Sequence, residues 1–435
     1  ITLHYFNLYD MPDFNTRKKK LTRLQLQTLI IASAIIGFLA ALLAISLKHI
    51  TEHYEDIFFA KAETNWYLFL ILPFIGLSVI YILRKYLFKN KENKGIKEVF
   101  ESFKTDKSLP AYKIPSHYLN GFLTVIFGGS TGIEVSTVVS SAAIGSIAHS
   151  KEKFLRKYKN ELICAGTAAG IAALFTSPMA GFLFVYEVLS KKISKVFLIA
   201  TFIALGVATA LSFFLHETAL FAVNIQTWHW HAFPYFILLG IISGLNSVYL
   251  TKTVLFFKKK FTNIKTKYHR VILGSAIIGI SLAFFPELFG DGYHAIKQNI
   301  ATSSSVIPTL SVFMTLLGII ILKPIITSVT LSAGGDGGVF APSIFIGAFI
   351  GLFTALLLNK YANAEVIPVN FMIISMAAML SASISAPFTA LFLVCGLVGD
   401  YTLFVPILIV CFVSKFTAER FCSYTVYTYQ EKATA

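Results

Sequence analysis

Charge is what this sequence has least of. Asp, Glu, Lys and Arg make up only 14% of its 435 residues, where a soluble globular chain keeps about 25%. Cysteine is scarce as well: Cys164, Cys395, Cys411 and Cys422 stand apart, without a CxxC pair, which argues against a disulfide framework or a thiolate zinc site. The sequence has no P-loop, no HExxH and no nucleophile elbow, so the usual signatures of nucleotide, zinc and serine chemistry are missing. No cleavable signal peptide is expected, since the polar start through Arg23 leads into an apolar span too long for an h-region. Intrinsic disorder, a disulfide scaffold and an ordinary cytosolic enzyme are excluded on these grounds.

What is present is apolar. Hydrophobic residues make up 56% of the chain and 41 residues are Phe, the composition of a polytopic membrane protein. The 37 Lys and Arg exceed the 22 Asp and Glu by 15, but this excess does not point to nucleic acid. It sits in short tracts between apolar spans, at 18–20, 89–97, 151–159, 191–195 and 258–270, where the positive-inside rule expects cytoplasmic loops. Segments 52–56, 216–230 and 286–294 carry no Lys or Arg and read as extracytoplasmic. Both termini are expected in the cytoplasm of a multi-pass cell-membrane protein.

Apolar segments fall at 25–48, 66–88, 118–149, 161–190, 196–223, 233–257, 270–285, 308–332, 339–358, 366–398 and 403–421. Two of these regions are not simple spans. Gly128, Gly129 and Gly132 interrupt the third, and Gly334, Gly335, Gly337 and Gly338 precede the ninth, each run carrying an ionisable group, Glu134 or Asp336. Helices broken at membrane depth are tolerated where the backbone lines a protected cavity, and one break in each half suggests an inverted-repeat transporter. Small-residue pairs such as Gly166 and Gly170, Gly240 and Gly244, and Gly347 and Gly351 predict close helix packing.

Four constellations can carry chemistry. Glu134 follows glycines at a predicted helix start, where unpaired N–H groups and the positive helix end suit an anion; its carboxylate can act as a tethered anion that protonation releases. The run Gly338, Val339, Phe340, Ala341 and Pro342 is a second such start. The third is the stretch Asn93, Lys94, Gly95, Ile96, Lys97 and Glu98, and the fourth is Ser423 with Tyr424 near the chain end. Plainer readings go to Trp228, His229, Trp230 and His231, an interfacial belt rather than a metal site, and to His4, His49 and His149, expected in solvent beside the spans. Asp336 either structures its loop or tunes a vestibule.

Together these residues resemble the CLC family of chloride channels and proton-coupled anion exchangers. The family motif GxFxP is matched in full by residues 338–342. GxEGP is matched by Gly132, Ile133 and Glu134, with Val135 and Ser136 in place of Gly-Pro, and GSGIPE only through Gly95, Ile96 and Glu98. Gly166, Gly170, Pro178 and Gly181, the stretch from Pro286 to Tyr293, and Ser385 to Pro387 extend the likeness across the membrane domain.

The resemblance implies an all-α membrane fold of many tilted and broken helices in two inverted halves, about 25–223 and 233–425. The 25–425 transport domain would lie between a cytoplasmic segment, 1–24, and a short tail, 426–435. It implies a homodimer with one pathway per subunit, no enzymatic activity, no cofactor, and chloride or a similar small anion as the transported ligand. Carried over by position, Glu134 is the gate, and the amides around Ile133 and Val135 form an outer site. Val339 and Phe340 supply amides, and Tyr424 a hydroxyl, to a central one. Gly95 and Ile96 line the pathway, and Lys94 stands where the family has an anion-coordinating serine, either binding the anion or pointing into the cytoplasm. Val188 stands where exchangers carry an internal proton-transfer glutamate. The expectation is therefore uncoupled or loosely coupled conduction. An anion/proton antiporter, using water chains or Glu187, is the alternative; a membrane-embedded enzyme or a non-transporting sensor is further off.

Overall fold

A computed structural model describes residues 22–91, 93–105, 107–151, 154–221, 223, 225 and 227–429. His4, the lysine tract at 18–20 and the tail from 430 onward lie outside the described residues. Among those described, the chain forms sixteen α-helices joined by short turns, and no strand beyond one isolated bridge.

Thr22 and Gln25 cap α1 (Arg23–Thr64) reciprocally, side chain to backbone amide, a capping box. α2 (Leu68–Ile82) runs into a π turn, Leu83–Leu87. There follow α3 (Lys97–Lys104), α4 (Lys113–Ile126), α5 (Glu134–Lys151), α6 (Lys159–Leu174), α7 (Pro178–Phe184) and α8 (Lys195–Phe214). The rest of the chain comprises α9 (Phe233–Thr262), α10 (Lys267–Phe284), α11 (Tyr293–Thr302) and α12 (Leu310–Ala333). It ends with α13 (Phe340–Tyr361), α14 (Pro368–Ile384), α15 (Pro387–Val398) and α16 (Phe404–Phe421). Helices α1, α2 with its π turn, α8, α9, α12 and α13 are long and apolar enough to cross a bilayer.

The expected breaks are real. The segment read at 118–149 divides into α4 and α5, and the run of glycines from Gly334 separates α12 from α13. Two further segments, 161–190 and 366–398, also divide, at Thr176 and Ser385, which adopt left-handed backbone just before the prolines that open α7 and α15. Two helices were not anticipated, α3 and α11. Both are short, and neither carries an apolar run.

The broken helices start in the protein interior. α6 and α14 are buried over nearly their whole length and α13 over most of it, as expected of helices that are apolar on every face. Glycines set the spacing. A Cβ at Gly347 would fall 2.4 Å from the Ser375 carbonyl oxygen, one at Gly351 2.2 Å from that of Phe371, and one at Gly166 2.4 Å from that of Ser141. Alanine at such a contact forces backbone apart, a cost of about 1–3 kcal/mol.

Candidate functional site

The two glycine runs meet. Gly132 and Gly338 form an isolated antiparallel bridge, which brings the start of α5 at Glu134 beside the start of α13 at Phe340. Glycine is required at this crossing: Gly337 has φ +146°, and a Cβ at Gly338 would lie 2.2 Å from Val135. The first N–H groups of a helix have no partner within it, so two sets of unpaired donors and two positive helix ends face one gap. Ile133, Val135, Val339 and Phe340 are buried around it.

Glu134 is 2% exposed. Its Oε1 accepts the Tyr293 hydroxyl at 2.7 Å. Its Oε2 has no hydrogen-bond partner among the described residues and lies against Gly132, beside the Ala341 methyl group. The amides of Glu134 itself and of Ala341 face the carboxylate. The side chain therefore bends back into the gap between the two helix starts.

Tyr424 was expected beside the start of α13, but the tyrosine that lies there is Tyr427. The Val339 amide donates to the Tyr427 hydroxyl at 3.2 Å, and the Tyr427 ring lies 6.0 Å from that of Phe340. Tyr424 is 36% exposed and rests on Tyr429. The reason is local. After α16 ends, buried Thr425 accepts the amides of Tyr427 and Thr428 through its hydroxyl, a side-chain turn that aims Tyr427 inward and leaves Tyr424 outside.

Tyr427 borders a cavity of about 640 Å3 whose walls include Arg84, Asn93, Gly95, Val135 and Val339. Lys94 contributes to its rim, but not as an anion ligand in the gap: its side chain is 60% exposed and its ammonium lies 3.4 Å from Glu101. Gly95, with φ +63°, comes within 3.4 Å of Val135 at its Cβ position, and Ile96 is buried. Backbone, rather than the ammonium, faces the site here. Further lysines and Arg270 give the cavity a basic lining.

Asp336 structures its loop. Its carboxylate receives Asn93 Nδ2 and lies 3.3 Å from the Arg84 guanidinium, while its amide donates to the Thr124 hydroxyl. His117, fully buried, sits 4.0 Å from Asp336 and 3.9 Å from Glu98, which also holds Lys113 at 2.7 Å. Burial alone would push the Glu98 carboxyl up; its contacts with His117, Lys113 and the Lys94 amide hold it below the usual carboxylate range.

Val188 lies half-buried in a π turn, Val185–Ser190. Its neighbour Glu187 is committed elsewhere, accepting the Phe388 amide at 3.3 Å and the Thr389 amide and hydroxyl at 2.7 and 2.6 Å. It caps the start of α15. Trp230 is exposed before α9, where the rings of His229 and His231 stack 5.4 Å apart. His49 pairs with Glu217 at 2.5 Å. His149, expected in solvent, is buried, with its Nδ1 at the Ser146 carbonyl.

Sequence reasoning missed the group on the other side of Glu134: Tyr293, Asp291, Glu55 and Lys323, all buried. Lys323 had a signal. It is an ionisable residue in the middle of an apolar run, the same criterion that selects Glu134.

With the geometry in place, the family question has an answer. A family model described as voltage gated chloride channel matches residues 75–419. The chain belongs to the CLC family. It is 25% identical over 402 residues to the voltage-gated ClC-type chloride channel ClcB of Shigella boydii, covering 89% of this chain and 94% of that one. The ClcB of Escherichia coli K12 matches to the same extent. Among solved structures, a slow cyanobacterial Cl−/H+ antiporter superposes with a TM-score of 0.78 at 20% identity, covering 92% of this chain and 96% of that one. A CLC-type fluoride/proton antiporter gives 0.75 at 23% identity, covering 94% and 98%. This CLC chain is thus a multi-pass membrane protein of anion transport, not an enzyme.

Proposed function

We propose that chloride or a similar small anion crosses through the gap between α5 and α13, with Glu134 as the gate. The observation that carries this reading is the Glu134 carboxylate itself, lodged where two helix starts offer unpaired amides. A negative group held there competes with a mobile anion, and neutralising or withdrawing it opens the place. Ile133, Val135, Val339 and Phe340 supply the surrounding backbone and Tyr427 a hydroxyl, while Gly95 and Ile96 wall the approach. The basic cavity raises the local anion concentration.

Conduction is uncoupled or loosely coupled. Val188 cannot carry a proton, and Glu187 is held by three donors at the start of α15. A second reading, anion/proton antiport, is favoured by the two similar solved structures, both described as proton antiporters. In either case residues 25–425, with the following turn that carries Tyr427, form the transport domain in two inverted halves, about 25–223 and 233 onward. Both termini face the cytoplasm, and two subunits pair with a pathway each.

Chloride flux from liposomes holding the purified protein tests the gate. Glu134→Gln should give flux nearly independent of pH; an unchanged pH profile sinks the assignment. Proton movement uphill, driven by a chloride gradient through the unmodified protein, would instead select the antiport reading.

A further inference from the structure

We infer that Tyr293 latches the gate: its hydroxyl holds the Glu134 carboxylate in the gap between α5 and α13, a positioning role that rests on the gate reading above. An ionised carboxylate has about four acceptor positions to fill. Tyr293 gives Oε1 its side-chain hydrogen bond at 2.7 Å, and Oε2 has no hydrogen-bond partner among the described residues. Deleting this one hydroxyl leaves the carboxylate to backbone amides alone.

A donor on a loose loop would follow the carboxylate rather than fix it, and Tyr293 is not on a loose loop. It is the first residue of α11, and its amide donates to Asp291 Oδ1 at 2.8 Å. The Asp291 amide in turn donates to Glu55 Oε1 of α1 at 3.2 Å. Lys323 of α12, 0% exposed, donates to the carbonyls of Leu288 and Gly290 at 3.2 Å each, and its ammonium lies 4.3 Å over the Phe345 ring of α13. These carbonyls belong to a buried turn with no helix to pair them, so the lysine supplies their partner. Gly292, at φ +86°, lets the turn approach so closely that a Cβ would fall 2.3 Å from Phe345. The latch is thereby fastened to α1, α12 and the body of α13, the helix whose start faces Glu134. Three buried ionisable groups, costly in a membrane protein, have a use here in fixing one phenol.

Tyr293→Phe keeps the ring and its packing and removes only the donor. A hydrogen bond to a charged group is worth at least roughly a factor of ten when nothing replaces it, and less where another donor takes the vacated place. Tyr293→Phe should therefore raise chloride flux at neutral pH and tighten chloride binding, measured by calorimetry in detergent, by about threefold to tenfold. The same change made in Glu134→Ala should leave both quantities as they are in Glu134→Ala alone, which a merely structural role would not produce. Flux and binding unchanged or weakened in Tyr293→Phe, while Glu134→Ala opens the pathway, overturn the latch and leave the gate standing. Equal increases in both backgrounds also overturn it, because the tyrosine then acts without Glu134. If Glu134→Ala itself changes nothing, the gate reading falls and the latch falls with it.

Discussion

Two tyrosines border the gap between α5 and α13, and they meet it from different sides with different chemistry. Tyr427 accepts the Val339 amide and stands at the end of a cavity of about 640 Å3 with a basic lining. Tyr293 donates to Glu134 and stands among Asp291, Glu55 and Lys323, beside a crevice of about 10 Å3. The first volume takes a hydrated anion and its neighbours; the second holds about one water. Under the proposed gating, the Tyr427 side is the approach and the Tyr293 side the closure. The difference teaches that the two helix starts are not equivalent, although their glycine runs look alike. α13 offers its amides behind Val339 and Phe340, whereas α5 carries its own anion on its first residue and folds it back over them.

The comparison can be broken most forcefully on the Tyr427 side. Asp336→Asn removes the charge that Arg84 and Asn93 share and that holds the loop before α13. Loss of one partner of a buried pair costs about 3 kcal/mol, so thermal unfolding in detergent should drop clearly and flux should fall with it. Next in size is Glu134→Ala, which empties the closure. Flux at neutral pH should rise about tenfold, equal to about 1.4 kcal/mol of gate occupancy. Tyr427→Phe should weaken chloride binding by about fivefold, near the 1 kcal/mol of a neutral hydrogen bond, while Tyr424→Phe leaves calorimetric titrations unaltered. The smallest effect belongs to Lys94→Ser. With its ammonium in solvent beside Glu101, it should move chloride affinity by less than about 0.5 kcal/mol; a larger change would place that lysine in the pathway after all.

Much of this was legible in the sequence, for identifiable reasons. Glycine runs ahead of apolar helices mark breaks because other residues reject the backbone they need, and both breaks lie where the runs put them. Glu134 stood out because a carboxylate in an apolar segment is expensive. The neighbouring helix starts were not visible as neighbours, because the bridge between Gly132 and Gly338 joins residues about 200 positions apart. Tyr424 and Tyr427 could not be told apart by spacing, since the Thr425 turn decides which one points inward. Asp336 gave no sign of whether it served the loop or the vestibule until Arg84, Asn93 and Thr124 closed around it.

The sequence by itself determined the membrane class, the broken spans, the family and the carboxylate at Glu134. Each rests on local chemistry: hydropathy over a span, glycine backbone freedom, and the cost of a buried charge. Tertiary structure alone decided which tyrosine enters the gap, that Lys94 stays in solvent, that Glu187 caps α15, and that Tyr293 reaches Glu134. Those outcomes depend on helices distant in the chain, and on donors and acceptors that find each other only once burial has removed water as an alternative partner.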